Sequence, residues 1–121
     1  MKKAILYSLE PRVEVAVQVE IAESFFERLR GLLGRSSLSE GHAFMIPRCA
    51  SVHMFFMRFP IDVLFCSREL EVLQLIEGLK PWRCSSYVPG AYYAVELPQG
   101  RIAALDIKIG QRLLLEGERL S

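Results

Sequence analysis

The chain has 121 residues, 51% of them hydrophobic, with 15 basic and 14 acidic side chains. This length and apolar content predict one domain, residues 1–121, with a single core, and the near-zero net charge argues against a nucleic-acid partner held by its phosphates. No apolar run approaches the roughly 18 residues of a membrane-spanning helix, so we expect no membrane partner.

The three cysteines, Cys49, Cys66 and Cys84, form no CxxC pair, a pattern typical of reduced thiols and not of a disulfide framework. The apolar stretch of the first residues is interrupted by Glu10 and Pro11, so we expect no cleaved signal peptide. Both features predict a cytoplasmic protein.

The first predicted elements are a strand and a helix. Residues 12–20 alternate valines with charged and polar side chains, which is the two-residue period of a half-exposed strand. Ser24 and Glu27 then have the spacing of a capping box, and apolar residues follow at helical spacing. We therefore predict an α-helix over about residues 24–33 that ends at Gly34.

Short apolar runs bounded by glycine, proline or charged residues fill the rest of the chain and predict antiparallel strands. These runs are Ala43 to Ile46, Val52 to Phe59, Ile61 to Cys66, Leu70 to Ile76, Ala91 to Leu97 and Arg112 to Leu115. The predicted fold class is α+β and mainly antiparallel β: a partly closed barrel or sandwich-like sheet, with the one early helix covering an open face.

The stretch from Cys49 to Phe65 places His53, Arg58 and Asp62 within an otherwise apolar, aromatic-rich run. Burial of a polar group without a partner costs about 2–7 kcal/mol, so each of the three must be paired, solvated or kept for a ligand. One hypothesis is that they surround a common pocket. The alternative for Asp62 is that it accepts hydrogen bonds from backbone amides and fixes the bend after Pro60.

A second cluster surrounds the single tryptophan, Trp82, which lies between basic residues and next to proline. Aromatic side chains beside arginine are typical of contact surfaces, although a lid over one end of a barrel would have the same composition. We predict a groove lined by Phe55, Phe56, Met57, Trp82 and Tyr87. The predicted ligand-binding residues are His53, Phe55, Met57, Arg58, Asp62, Trp82 and Glu96, where Glu96 could instead hold the turn that ends at Gly100.

The motifs ERLRGLLGR, FFMRFPIDVLF, VELPQG and IKIGQRLLL occur in this order over roughly residues 12–115. In these motifs the chain resembles the bacterial and archaeal family called domain of unknown function 192. The matching positions are the stretch Arg28 to Leu32, Met57, the step Ile61-Asp62 and the turn Glu96 to Gly100. The resemblance implies the fold class. Because the family has no agreed biochemical function, it implies no activity.

Three functions are consistent with these residues. The first is a binding or interaction module that takes an unknown protein, peptide or small molecule in the groove around His53, Arg58, Asp62 and Trp82. The second is a small enzyme, a hydrolase or transferase, that uses Cys49 or Asp62 with His53. The third is soft-metal (Cu or Zn) binding by cysteine, histidine and methionine, but the spacing of these donors matches no closed motif, so we expect no metal and no cofactor.

Overall fold

The structure, a computed structural model, describes residues 2–22, 37–55 and 57–117. The helix predicted over residues 24–33 and the predicted groove residue Phe56 lie outside these ranges. The described elements are β1 (Lys2–Ser8), β2 (Val13–Ile21), β3 (His42–Pro47), β4 (Ile61–Cys66), β5 (Val72–Leu79), β6 (Tyr93–Pro98), α1 (Arg101–Leu105) and β7 (Leu113–Gly117). None of the described helical residues forms a helix long and apolar enough to cross a membrane.

The strands form one seven-stranded mixed sheet in the order β5-β4-β6-β3-β2-β1-β7. Neighbouring strands are antiparallel except for β2 and β3, which run parallel. The exception has a topological reason, because parallel neighbours need a connection of about a dozen residues or more, and residues 22–41 separate these two strands. The prediction of a mainly antiparallel sheet is confirmed, apart from this one parallel pair.

The two edge strands of the sheet meet at one point and curl it into a partly closed barrel, as predicted. The amide of Val72, at the start of β5, donates to the carbonyl of Gln111 at 2.9 Å. The amide of Leu113, at the start of β7, donates to the carbonyl of Leu70 at 2.9 Å. This contact involves the first residues of β5, and the rest of that strand pairs with β4 on one side.

Apolar residues pack on both faces of the sheet. All six residues of β4 are buried, and successive side chains of a strand point to opposite faces. Ile61 and Val63 join an outer core, whereas Leu64 and Cys66 join an inner core inside the curled sheet. Asp62 alternates with Ile61 and Val63 and therefore points toward the inner core.

The outer core is covered by two irregular segments, residues 48–60 without the undescribed residue 56, and residues 80–90. We call them the cover ribbon. They pair antiparallel through backbone hydrogen bonds, for example from the amide of Met54 to the carbonyl of Arg83 and from the amide of Ser85 to the carbonyl of Val52, both at 2.8 Å. Val52 and Met54 point into the outer core. The ribbon thus closes the outer face of the sheet.

The prediction of a regular strand from Val52 to Phe59 is wrong. Within the described part of this run, the ladder is reduced to an isolated bridge between His53 and Cys84. The chain turns immediately afterwards, where the amide of Met57 donates to the carbonyl of Met54 at 3.2 Å. The turn lets apolar side chains on both sides of it pack into the outer core. Packing against that core therefore determines the local structure, although the sequence pattern is typical of a strand.

Candidate functional site

Asp62 is the second residue of β4, and its side chain is fully buried. Its Oδ1 accepts a hydrogen bond from the amide of Gly78 at 2.9 Å. Its Oδ2 accepts from the amides of Gly100 and Ile102, each at 3.0 Å. Three backbone donors therefore replace water around this carboxylate, which is the compensation that burial of a charged group requires.

The donors to Asp62 come from places where the backbone leaves regular structure. β5 places two residues, Glu77 and Gly78, opposite Asp62, which makes a β-bulge with Gly78 at φ +67°. Gly100 caps the start of α1 at φ +92°. Asp62 ties the bulge and the helix start to β4, so the geometry supports the hypothesis that it is an acceptor for backbone amides.

The predicted charged residues do not share a pocket. His53 is half-buried and Arg58 is exposed, and both belong to the cover ribbon on the outer face. Asp62 points to the inner face, on the other side of the sheet. Met57 and Glu96 are buried as well, at 4% and 0% exposure. Of the predicted ligand-binding residues, Phe55, Arg58 and Trp82 are thus exposed, and His53 is half-buried beside Phe55.

Three aromatic rings of the cover ribbon, those of His53, Phe55 and Trp82, form what we call the aromatic row. The ring centroids of His53 and Phe55 are 4.8 Å apart in a stacked arrangement, and those of Phe55 and Trp82 are 6.1 Å apart. Phe55 is 41% exposed and Trp82 is 59% exposed. Tyr87 lies farther along the ribbon and lines a separate cleft of about 380 Å³ against β5. The described aromatic residues of the predicted groove, Phe55, Trp82 and Tyr87, are therefore exposed.

Trp82 occupies a strained backbone position. The amide of Arg83 donates to the carbonyl of Lys80 at 3.2 Å, which closes a β-turn with Pro81 and Trp82 at its centre. Proline fixes a negative φ at the first central position and Trp82 has φ +66° at the second, the combination that defines a type II turn. Glycine or asparagine is usual there, and a bulky residue costs about 1–3 kcal/mol.

The cover ribbon has a positive charge that the composition of the whole chain conceals. Residues 48–60 and 80–90 contain no aspartate or glutamate, although the chain as a whole has 14 acidic residues against 15 basic ones. The basic residues of the ribbon are Arg48, Arg58, Lys80 and Arg83, and all four are exposed. The near-zero charge of the whole chain gives no sign of this excess, although the sequence shows that Trp82 lies between basic residues. Counting acidic residues segment by segment would have found it.

The three cysteines lie in different environments. Cys66 belongs to the inner core, where burial raises the pKa of its thiol to about 12. The thiol of Cys49 donates to the carbonyl of Ser51 at 3.0 Å. Cys84 is exposed and lies opposite His53 as a non-hydrogen-bonded antiparallel pair, the kind in which cross-strand side chains approach most closely. Cys84 is thus the cross-strand neighbour of His53.

The soft-metal and catalytic hypotheses stay predictions. Within residues 2–22, 37–55 and 57–117, no three His, Cys, Asp or Glu side chains are grouped to hold a metal ion. The catalytic hypothesis requires Cys49 or Asp62 to act with His53. Asp62 lies across the sheet from His53, and the thiol of Cys49 is directed to a backbone carbonyl.

The described residues define a curled, mixed β-sheet with an internal carboxylate and an exposed aromatic surface. The chain belongs to the domain of unknown function 192 family, described as uncharacterised ACR, whose sequence profile matches residues 8–115. The predicted family is confirmed.

Two relatives agree with this assignment. A UPF0127 protein of Thermococcus sibiricus is 40% identical over 107 residues, covering 84% of this chain and 68% of its own length. A UPF0127 protein of Pyrococcus furiosus is 42% identical over 106 residues, covering 83% and 88%.

Two crystal structures have the same fold. One is of a Sinorhizobium meliloti protein with the provisional description of a transcription regulator; it has a TM-score of 0.78 at 21% identity and covers 93% of each chain. The other is of a protein of unknown function from Novosphingobium aromaticivorans, with a TM-score of 0.75 at 19% identity, covering 93% of this chain and 83% of that one. At such identities the likeness shows the fold alone.

Proposed function

We propose that this protein is a binding module that captures a partner through the aromatic row. The observation that carries the proposal is Trp82, an indole held at a left-handed backbone position while 59% of it stays exposed. In a core residue, burial of the ring would offset the strain. An exposed ring buries little apolar area and therefore offsets little of the strain. Backbone strain of this kind is concentrated at sites where residues contact a ligand.

The neighbours of Trp82 have the composition of a contact surface. Trp and Arg are the residue types that most often carry the energy of an interface. Phe55 lies beside Trp82, and Arg58 and Arg83 are exposed in the same ribbon. A partner covering both rings would bury the 41% of Phe55 and the 59% of Trp82 that are exposed, which is worth about half of the roughly 1.5–3 kcal/mol gained when a whole large apolar side chain is buried.

A capture experiment tests the proposal. The purified protein is immobilised, incubated with cell lysate, and the bound proteins are quantified by mass spectrometry. Trp82→Ala and Arg58→Ala should each weaken capture of the same partner, Trp82→Ala by about fivefold or more, because truncation of an interface tryptophan commonly costs over 1 kcal/mol. Ile109→Ala is the matched control, since Ile109 is also 59% exposed but follows α1, outside the ribbon. Equal capture by all four proteins would refute the proposal.

A further inference from the structure

We infer that the partner segment that contacts the aromatic row is an acidic stretch of protein, rich in aspartate and glutamate. This inference rests on the proposed function and specifies the chemistry of the partner. The inference rests on charge complementarity. The exposed rings lie in the same ribbon as four exposed basic residues, and the ribbon has no acidic residue to balance their charge. Interfaces place opposite charges against one another, so carboxylates on the partner would balance this surface.

The turn at Trp82 contains two of these four basic residues, Lys80 and Arg83. The hydrogen bond between Arg83 and Lys80 closes the turn, so the backbone of a basic residue stands on each side of Trp82. Both basic residues are exposed. A partner with an apolar side chain between two acidic residues would match this order, with the apolar group on the indole and the carboxylates near Lys80 and Arg83.

The aromatic row favours a peptide over single-stranded nucleic acid. Sequence-tolerant binding of single strands uses aromatic side chains on which successive bases stack, along a groove that tracks the backbone. His53 and Phe55 stack on each other, so each already has one ring face covered. Trp82 remains the most exposed ring of the row. One exposed tryptophan in a ribbon that also has exposed arginines and a lysine is the composition of a protein interface centre.

Fluorescence of Trp82 tests the inference directly, because it is the single tryptophan of the chain. The probe is a synthetic peptide in which Asp and Glu alternate with Leu, and the control probe has Lys at each acidic position. The acidic peptide should change the emission of Trp82 saturably, and the lysine peptide should not. Binding should weaken in about 1 M salt, where the Debye length falls to about 3 Å.

Charge-reversal variants locate the interaction on the ribbon. The double variant Lys80→Glu/Arg83→Glu should weaken binding of the acidic peptide by about tenfold or more, since each reversal replaces an attraction by a repulsion. The matched control is Lys108→Glu/Arg112→Glu, which changes the net charge equally at exposed positions between α1 and β7. It should stay within about twofold of wild type.

Three results would overturn the inference. These are equal binding of the acidic and lysine peptides, equal weakening by both double variants, and binding of a single-stranded oligothymidylate in place of the acidic peptide. Failure of the inference remains distinguishable from failure of the proposed function. If Trp82→Ala abolishes capture from lysate but Lys80→Glu/Arg83→Glu leaves it unchanged, the binding module stands and the acidic partner does not. If neither variant alters capture, both fail.

Discussion

Asp62→Asn is the substitution that most sharply tests the role assigned to this buried carboxylate. In the best orientation, the amide oxygen takes the place of Oδ2 and keeps the bonds from Gly100 and Ile102. The new NH₂ group then faces the amide of Gly78, so two donors meet where one bond of 2.9 Å existed. Each buried donor left without an acceptor costs about 1–3 kcal/mol, and relief of carboxylate desolvation returns part of it. We expect a net loss of about 2–4 kcal/mol.

Urea unfolding followed by circular dichroism measures this loss, and Asp62→Ala should lose more because it leaves three amides without an acceptor. Asp106→Asn is the control, since the side chain of Asp106 is 81% exposed and should change the free energy of unfolding by less than about 0.5 kcal/mol. Amide hydrogen exchange of Gly78 should accelerate in Asp62→Asn. A free energy of unfolding equal to that of the control would refute the reasoning.

Further predictions concern Gly78 and the cysteines. Gly78→Ala should lower the free energy of unfolding in urea by about 1–2 kcal/mol, because its φ is +67° and an added Cβ would lie 3.1 Å from Gln99, whereas Gly117→Ala should be close to neutral. Iodoacetamide should label exposed Cys84 first and buried Cys66 last, as read by peptide mass spectrometry; earlier labelling of Cys66 would contradict its placement. Burial raises the pKa of Cys66 from 9.0 to about 12, so the unfolded state releases that proton first. The free energy of unfolding should therefore decrease as pH rises from 9 toward 12, and this decrease should be less steep in Cys66→Ala. Identical slopes for wild type and Cys66→Ala in pH-dependent urea unfolding would refute this.

Much of the sheet could be predicted because the sequences of several strands have a pattern of apolar residues that is typical of a strand. The run Ile61 to Cys66 has the same bounds as β4, and the predicted strand over residues 12–20 is shifted from β2 by one residue. Alternation and continuous apolar runs are local signals that survive folding. Two elements gave no such signal. β1 begins with two lysines and has no alternating pattern, and α1 has five residues, too few to show a helical period.

The candidate site was harder to predict because it depends on which face each residue occupies. His53, Arg58 and Asp62 are close in sequence, and their chemical types singled them out. The inward direction of Asp62 follows from the alternation in β4, whereas the outer position of the ribbon follows from long-range packing. The pairing of His53 with Cys84 likewise depends on register between distant segments. A single sequence contains no direct signal for either.

We propose that Trp82 serves a partner and not the fold, and Trp82→Gly tests this role. Glycine adopts φ +66° freely, so relief of about 1–2 kcal/mol of strain should offset the lost contact with Phe55 and the backbone entropy of glycine. Measured together, the free energy of unfolding should stay within about 1 kcal/mol of wild type while capture of the partner is lost. A variant that unfolds several kcal/mol more easily, or that captures the partner as well as wild type, would contradict the account.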